Sequence, residues 1–230
     1  MQAEYPSTLT GTSIAAASAQ KVLRNTYMLL AMTLLFSALT AGAAMALHVP
    51  YGAALVSSLV ALALLWFVVP RTAHSAAGIG VVFAITGLLG FGLGPVLDHY
   101  LSLANGAQIV MLALGLTGVT FLGLSAYALT SRRDFSFMRS FLVAGVLVAF
   151  IASIVSLVAA LLGHPLPALA LTVSAMFAVL MCGMILYQTG EIVNGGETNY
   201  VLATIGLYVS LYNLFTSLLH LLGAFMGERE

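Results

Sequence analysis

Long runs of apolar residues, separated by short polar or turn-forming breaks, fill almost the whole chain. A membrane-spanning helix needs about 20 mostly apolar residues, and the breaks divide the chain into seven runs of about that length. The runs are 27–47, 51–69, 76–97, 107–129, 140–162, 166–188 and 200–225. Transmembrane β-strands would be alternating segments of about ten residues. The continuous runs therefore predict an all-α integral membrane protein with seven transmembrane helices.

Composition and charge agree with a membrane protein and exclude several functions. The chain is 61% hydrophobic and only 6% charged, whereas soluble domains contain about 25% charged residues. The formal net charge is zero, so the chain has no basic face of the kind that binds nucleic acid. Cys182 is the one cysteine and lies in an apolar run, which excludes an intrachain disulfide and predicts a small core residue.

The first 24 residues differ from the rest of the chain. They are rich in Ser, Thr and Ala, contain Pro6 and Gly11, and lack the apolar core and cleavage site of a secretory signal. We expect residues 1–24 to form a short cytoplasmic N-terminal tail, followed by one seven-helix transmembrane domain over residues 25–230.

The positions of Lys and Arg predict how the chain is oriented, because cytoplasmic connections hold an excess of these residues. Six of the seven basic residues flank predicted helices on one side of the membrane: Lys21, Arg24, Arg71, Arg132, Arg133 and Arg139. The connections on the other side hold none. The N-terminus is therefore expected in the cytoplasm. The C-terminus is expected outside it, or back in the cytoplasm if the last run is re-entrant.

The third apolar run contains closely spaced glycines. Gly90 and Gly94 form a small-xxx-small pair, a pattern that lets two helices approach closely in lipid. A phosphate-binding loop would need a preceding β-strand, which an all-α chain does not have. The pair predicts close helix packing, with a hinge as the alternative.

Patterns typical of enzymes and metal sites are missing from the sequence. The histidines are scattered, with four of the five in or beside connections, at His48, His74, His99, His164 and His220. Neither a HExxH pair nor a nucleophile elbow is present. The sequence therefore predicts a non-enzymatic protein without catalytic residues, cofactor or metal site.

The last predicted helix carries a polar stripe. Small and polar residues recur at intervals of 4, 3, 4 and 3 residues, at Gly206, Ser210, Asn213, Ser217 and His220. Residues at this spacing share one helical face, which we expect to turn away from lipid. Interhelical hydrogen bonds are one explanation of the stripe, and a pore or solvated cavity is the other.

A second stripe, of aromatic residues, lies beside the first on the same helix. It consists of Tyr208, Tyr212 and Phe215, and the two tyrosine hydroxyls need hydrogen-bond partners if they are buried. A helix with polar groups on more than one face is suited to the centre of a bundle.

Two acidic residues lie just before this helix. Glu191 and Glu197 flank the pair Gly195-Gly196 on the predicted cytoplasmic side. They are either solvated loop charges or groups that gate a cavity or bind a cation.

Five stretches identify a family. They are KVLRNTY at 21–27, TGLLGFGLGP at 86–95, SAY at 125–127 with RRDFSF at 132–137, GGETNY at 195–200, and LYVSLYNLF at 207–215. These stretches are spread in order along nearly the whole chain, and in them the chain resembles the Bax inhibitor-1 family of small seven-helix membrane proteins and, within it, the bacterial YccA-like branch.

The resemblance implies a fold, a location and a partner. The seventh helix is expected at the centre, surrounded by helices 1–3 and 4–6. Members of the branch lie in the bacterial inner membrane, where they bind and restrain the ATP-dependent protease FtsH as slowly degraded substrates engaged through the N-terminal tail. Residues 1–24 correspond to that tail.

Other members of the family are described as pH-sensitive calcium leak channels closed by a pair of aspartates on the sixth and seventh helices. The motifs place these two positions at Gln188 and Ser210. Two neighbouring carboxylates share a proton and titrate with pH, whereas glutamine and serine do not. Glu191, one turn from Gln188, is the acid placed to substitute for one of them.

We therefore interpret the chain first as a non-enzymatic modulator of FtsH-type proteolysis. The alternative is a leak for calcium or another cation, and a secondary transporter has little support because only the third run is clearly broken by glycine. The predicted cavity or gate residues are Gln188, Glu191, Glu197, Tyr208, Ser210, Tyr212, Asn213 and Ser217.

Overall fold

The computed structural model describes the backbone of residues 8–131 and 133–227, and side chains from residue 17 onward. The described residues form seven long helices and no strand. We label the helices α1 Thr8–Ala46, α2 Tyr51–Thr72, α3 Ala77–Leu101, α4 Gly106–Ser131, α5 Arg139–Leu161, α6 Pro167–Val193 and α7 Tyr200–Met226. Each contains a segment long and apolar enough to cross a membrane, which confirms the predicted fold class.

Helix α2 is irregular near its end. A π-helical turn, Leu64–Val68, precedes Pro70. Proline has no backbone N–H and its ring clashes with the carbonyl four residues earlier, so the wider turn keeps the helix continuous across this position.

Helix α1 begins earlier than the hydrophobic pattern predicts. Its backbone is helical from Thr8, and its candidate membrane span is Ala17–Ala46, whereas the first apolar run starts at residue 27. Alanine favours helices, and Gly11 is the only glycine or proline between residues 8 and 24. The described part of the predicted tail therefore continues into the transmembrane helix, and residues 1–7 lie outside the described residues.

Helix α7 lies at the centre of the bundle. It packs against α1, α3, α4 and α6, while α5 lies at the periphery and packs mainly against α6. The most apolar stretch of α7 is 61% buried inside the protein, compared with 50% for α3 and 11% for α5. This arrangement confirms the central seventh helix.

The length of α7 also bears on the re-entrant alternative. It is one continuous helix of 27 residues, which corresponds to about 40 Å at 1.5 Å per residue. That length is enough to cross the hydrocarbon core. The orientation of the termini stays a prediction.

Glycines bring α3 against α1. A Cβ atom added at Gly90 would overlap the backbone oxygen of Ser37, and one added at Gly94 would lie 2.5 Å from the Ala44 Cβ. Helix α3 continues unbroken through both positions. The packing interpretation of the glycine pair is therefore confirmed.

Candidate functional site

Gln188 on α6 and Ser210 on α7 are direct neighbours. The Ser210 hydroxyl donates a hydrogen bond of 3.1 Å to Gln188 Oε1, and Ser210 is only 2% exposed. Gly206, one turn earlier on α7, leaves room for the amide, since a Cβ there would lie 3.2 Å from Gln188 Nε2. The positions that the resemblance assigns to an acidic pair therefore hold a neutral, hydrogen-bonded pair.

Tyr208 connects α7 to α1 and α3. Its side chain is 1% exposed, and its hydroxyl lies 2.6 Å from Ser37 Oγ and donates to the Thr86 carbonyl at 3.3 Å. With Tyr208 donating to Thr86, Ser37 donates to the tyrosine oxygen, so the buried hydroxyl has a partner on each of two helices.

Sequence reasoning missed Ser37 and Thr86 as partners of this tyrosine. A signal exists on α1, where Thr26, Thr33 and Ser37 are spaced by 7 and 4 residues and are all buried. This spacing places three polar residues on one helical face, and it could have predicted that the face turns toward protein rather than lipid.

The remaining residues of the two stripes also contact protein groups. The Tyr212 ring stacks on Tyr208 with centroids 6.3 Å apart. Asn213 donates to the Val209 carbonyl of its own helix at 2.8 Å, and Ser217 is buried. These contacts favour packing over a solvated lining, but the assignment of the eight residues to a cavity or gate stays a prediction.

His220, at the far end of the polar stripe, reaches across to α6. Its Nδ1 atom lies 2.7 Å from Ser174 Oγ, which also donates to the Ala170 carbonyl at 3.0 Å. Which of the two groups donates depends on the tautomer of the histidine. The Ser174–His220 and Gln188–Ser210 contacts therefore link α6 to α7 at two positions along the helices.

Glu191 and Glu197 interact with local groups. The Glu191 backbone oxygen accepts from the N–H groups of Gly196 at 2.8 Å and Glu197 at 3.1 Å. The φ of +77° at Gly195 permits this tight turn. In the described part of the chain, no three His, Cys, Asp or Glu side chains lie close enough together to hold a metal ion.

Asn199 joins the start of α7 to the end of α2. Its Oδ1 caps α7 by accepting from the Val201 N–H at 2.9 Å, while its Nδ2 donates to the Ala73 carbonyl at 2.8 Å. The Glu197 carboxylate accepts from the Asn199 N–H at 2.7 Å. An asparagine before an apolar run is a typical N-cap, but its second partner is set by the tertiary fold.

The α4–α5 connection covers the end of α6. Phe135 is buried beside Gly190, where an added Cβ would lie 2.8 Å from the ring. The pKa of the exposed Asp134 carboxyl is lowered mainly by a hydrogen bond from the Ser136 backbone N–H. A hydrogen bond from the Ser136 side chain lowers it further. Arg132, one of the basic residues used to predict orientation, lies outside the described residues.

An open cleft lies at the opposite end of the bundle, between α1, α2 and α3. It has a volume of about 310 Å³ and is lined by His48, Val49, Tyr51, Pro95, Asp98, His99 and Ser102. Residue His48 has a φ of 48° where α1 ends, a conformation more often adopted by glycine.

Comparison with known families and proteins identifies relatives of the whole bundle. The model of the Bax1-I family, described as "Inhibitor of apoptosis-promoting Bax1", matches residues 19–227. The match begins two residues into the α1 span and includes all of α2 to α7.

Bacterial relatives match over most of their length. "Modulator of FtsH protease YccA" of Escherichia coli strain K12 is 47% identical over 206 residues, which is 90% of this chain and 91% of that protein. "Inner membrane protein YccA" of Escherichia coli O6:H1 gives the same values. An "Uncharacterized membrane protein" of Vibrio cholerae is 47% identical over 204 residues, 88% of this chain and 89% of that protein.

Proposed function

The chain belongs to the Bax1-I family, and from this premise we propose that it is a non-enzymatic modulator of an FtsH-type membrane protease. The observation that carries the proposal is the 47% identity, over 90% of the chain, to a protein named a modulator of FtsH protease. The seven apolar helices and the name "Inner membrane protein" of a second relative support a location in the bacterial inner membrane.

The N-terminal tail, residues 1–24, is the segment that we propose the protease engages. Residues 1–16 precede the α1 span Ala17–Ala46, and the α1 backbone is continuous from Thr8 into that span. A force applied to the tail would therefore act directly on α1. The basic residues beside the first, second, fourth and fifth helices support a cytoplasmic location for this segment.

The packing of α1 offers a physical reason for slow extraction by a protease. Along its length, α1 contacts α7 where the Thr204 hydroxyl, which donates mainly to Tyr200, lies 3.3 Å from the Thr26 carbonyl oxygen, and where Ser37 is hydrogen-bonded to Tyr208. It also lies in close contact with α3 at Gly90. Pulling α1 out would break these contacts together, so a protease would hold the chain for a long time before degrading it.

Deletion of residues 1–16 is expected to abolish both degradation of the chain and its inhibitory effect on a second substrate. The deletion ends before Val22 and Leu23, which pack against the core, so the bundle should fold. The assay uses purified FtsH-type protease and the chain in liposomes, with both proteins followed over time.

A second variant separates tail sequence from tail length. Residues 1–16 are replaced by a Gly/Ser segment of the same length, which keeps the reach but removes the native side chains. Recovery of inhibition in this variant would show that reach alone is enough. Full inhibition by the deletion variant would contradict the tail mechanism.

The calcium leak is the alternative implied by other members of the family. A pH-sensitive leak closed by an acidic pair needs two carboxylates that share a proton, and Gln188 and Ser210 form a neutral pair instead. We expect calcium efflux from proteoliposomes to equal that from empty vesicles at about pH 6 and about pH 8.

The matched control for this measurement is the double variant Gln188→Asp, Ser210→Asp. It places two carboxylates at neighbouring positions, so any flux it supports should depend on pH. A pH-dependent calcium flux through the wild-type protein would revive the leak and require another titrating group, with Glu191→Gln as the first variant to examine.

A further inference from the structure

The cleft between the ends of α1, α2 and α3 brings acidic, aromatic, imidazole and hydroxyl side chains around one space. Its polar lining residues are His48, Tyr51, Asp98, His99 and Ser102, and its volume is about 310 Å³. Sites for small molecules have volumes of about 300–1,000 Å³. The cleft is at the lower end of this range, which suits a small polar group better than a bulky ligand.

Asp98 gives the cleft a negative charge. Six of the seven Lys and Arg residues of the chain flank the helices at the opposite end of the bundle, and the seventh, Arg229, lies outside the described residues. Among the residues that the structure describes, Asp98 is the one formally charged residue at the cleft end. A carboxylate with no basic residue beside it repels anions and attracts cations.

The other polar groups of the cleft offer lone pairs to a ligand. The Ser102 hydroxyl donates its proton to the His99 carbonyl at 2.7 Å, so its oxygen is available only as an acceptor. A neutral imidazole has one acceptor nitrogen, and the phenol oxygen of Tyr51 also accepts. A positive centre that carries several N–H donors is therefore complementary to the cleft, whereas a phosphate or carboxylate group is not.

His48 occupies a backbone position that usually holds glycine. Helix α1 ends in a Schellman motif, in which the Val49 N–H bonds to the Ala44 carbonyl at 3.1 Å and the His48 N–H to the Met45 carbonyl at 3.0 Å. The φ of 48° at His48 is in the left-handed region, where a Cβ atom is unfavourable. A side chain that is kept there and lines the cleft indicates a use for the imidazole.

The cleft lies at the level of the lipid headgroups. The α1 span ends at Ala46, the α2 span begins at Tyr51 and the α3 span ends at Leu101, so the lining residues cluster at the ends of three membrane-crossing segments. Polar headgroups replace hydrocarbon at this depth. A headgroup that carries an ammonium group therefore has direct access to the cleft.

We propose that this cleft binds a primary ammonium group and that the ethanolamine headgroup of a phospholipid supplies it. Asp98 accepts a charge-assisted hydrogen bond from the ammonium group, and His48 and Ser102 provide further acceptors for its three N–H donors. A free small amine carries the same group, and the experiment separates the two sources. The site is independent of the proposed protease partner.

Lipid binding to the full chain tests the proposal. Native mass spectrometry in non-ionic detergent compares phosphatidylethanolamine with phosphatidylcholine of the same acyl chains, which keeps the positive charge but has no N–H donor. We expect phosphatidylethanolamine to bind roughly tenfold more tightly, the effect of one hydrogen bond to a charged group.

Free ethanolamine, followed by the NMR signals of the imidazole rings, identifies the source of the ammonium group. Binding of ethanolamine without a preference between the two lipids would overturn the lipid source and support a free amine. Equal binding of the two lipids together with no binding of ethanolamine would overturn the site.

Two variants and a matched control locate the ammonium group. Asp98→Asn is an isosteric change of an exposed residue and should abolish the lipid preference. Asp134→Asn removes an exposed carboxylate at the opposite end of the bundle and should preserve it. A preference that survives Asp98→Asn, or that is lost equally in both variants, would overturn the site.

His48→Gly distinguishes binding from structural damage. Glycine suits the φ of 48° at this position, so thermal unfolding should show a protein as stable as the wild type or more stable. The same variant should bind phosphatidylethanolamine several-fold more weakly, because one acceptor is removed. Unchanged binding by a stable His48→Gly protein would contradict the role of the imidazole in the site.

Discussion

Replacing Gly90 with alanine is expected to lower the free energy of unfolding by about 3 kcal/mol, the upper part of the range for overpacked cores. The added Cβ would overlap the backbone oxygen of Ser37 and lie 2.6 Å from its hydroxyl oxygen. A backbone atom cannot rotate away, so α1 and α3 would have to separate along their contact. Unfolding of the purified protein in mixed detergent measures the loss.

Gly118→Ala is the matched control for this substitution. Gly118 lies on α4, and an added Cβ would meet no atom within 4 Å. Alanine is favoured over glycine in a helix by up to about 1 kcal/mol, so the control should be neutral or slightly more stable. Equal losses in the two variants would show that close approach of α1 and α3 does not explain Gly90.

Tyr208→Ala is expected to destabilise the bundle by about 3 kcal/mol or more, in line with other deletions of buried aromatic side chains. Tyr208 is among the largest fully buried side chains and packs in the principal core cluster. Its removal leaves a cavity at the centre of the bundle and takes a partner from Ser37. Thermal unfolding in detergent gives the comparison with wild type.

Tyr208→Phe separates the hydroxyl from the ring. It keeps the packing and removes only the hydrogen bonds to Ser37 and Thr86, so we expect a loss of about 1 kcal/mol, typical for polar contacts between membrane helices. A loss as large as that of Tyr208→Ala would show that the hydroxyl contacts, rather than ring packing, dominate at this position.

The hydrophobic pattern was sufficient to predict seven helices and their approximate bounds. Lipid offers no partners for backbone N–H and C=O groups, so an apolar run of spanning length must be helical. The same pattern placed the start of the first helix too late. Residues 8–24 are not apolar enough to be read as a span, but their alanines continue the helix of α1.

The polar stripe on α7 predicted a buried face but not its neighbours. Periodicity shows which residues of one helix lie together, whereas the contacts of Tyr208 with Ser37 and Thr86 join positions 171 and 122 residues apart. The contact between Gln188 and Ser210 has the same origin. The family resemblance identified those two positions, and only the packing of α6 against α7 shows that they bond.

The unpartnered hydroxyls of Ser125 and Thr189 could not be predicted from the sequence. Thr189 is the same residue type as Thr117, which bonds within its helix. Their different behaviour depends on side-chain rotamers and on the neighbouring helices, which no local pattern reports.

Protease activity in the presence of the full chain tests the central proposal most directly. An FtsH-type protease is reconstituted in liposomes with a membrane substrate, and the rate of substrate degradation is measured as the full chain is added. We expect the rate to fall progressively with the amount of chain and the chain itself to be degraded more slowly than the substrate. An unchanged rate with the chain in large excess would contradict a role as modulator.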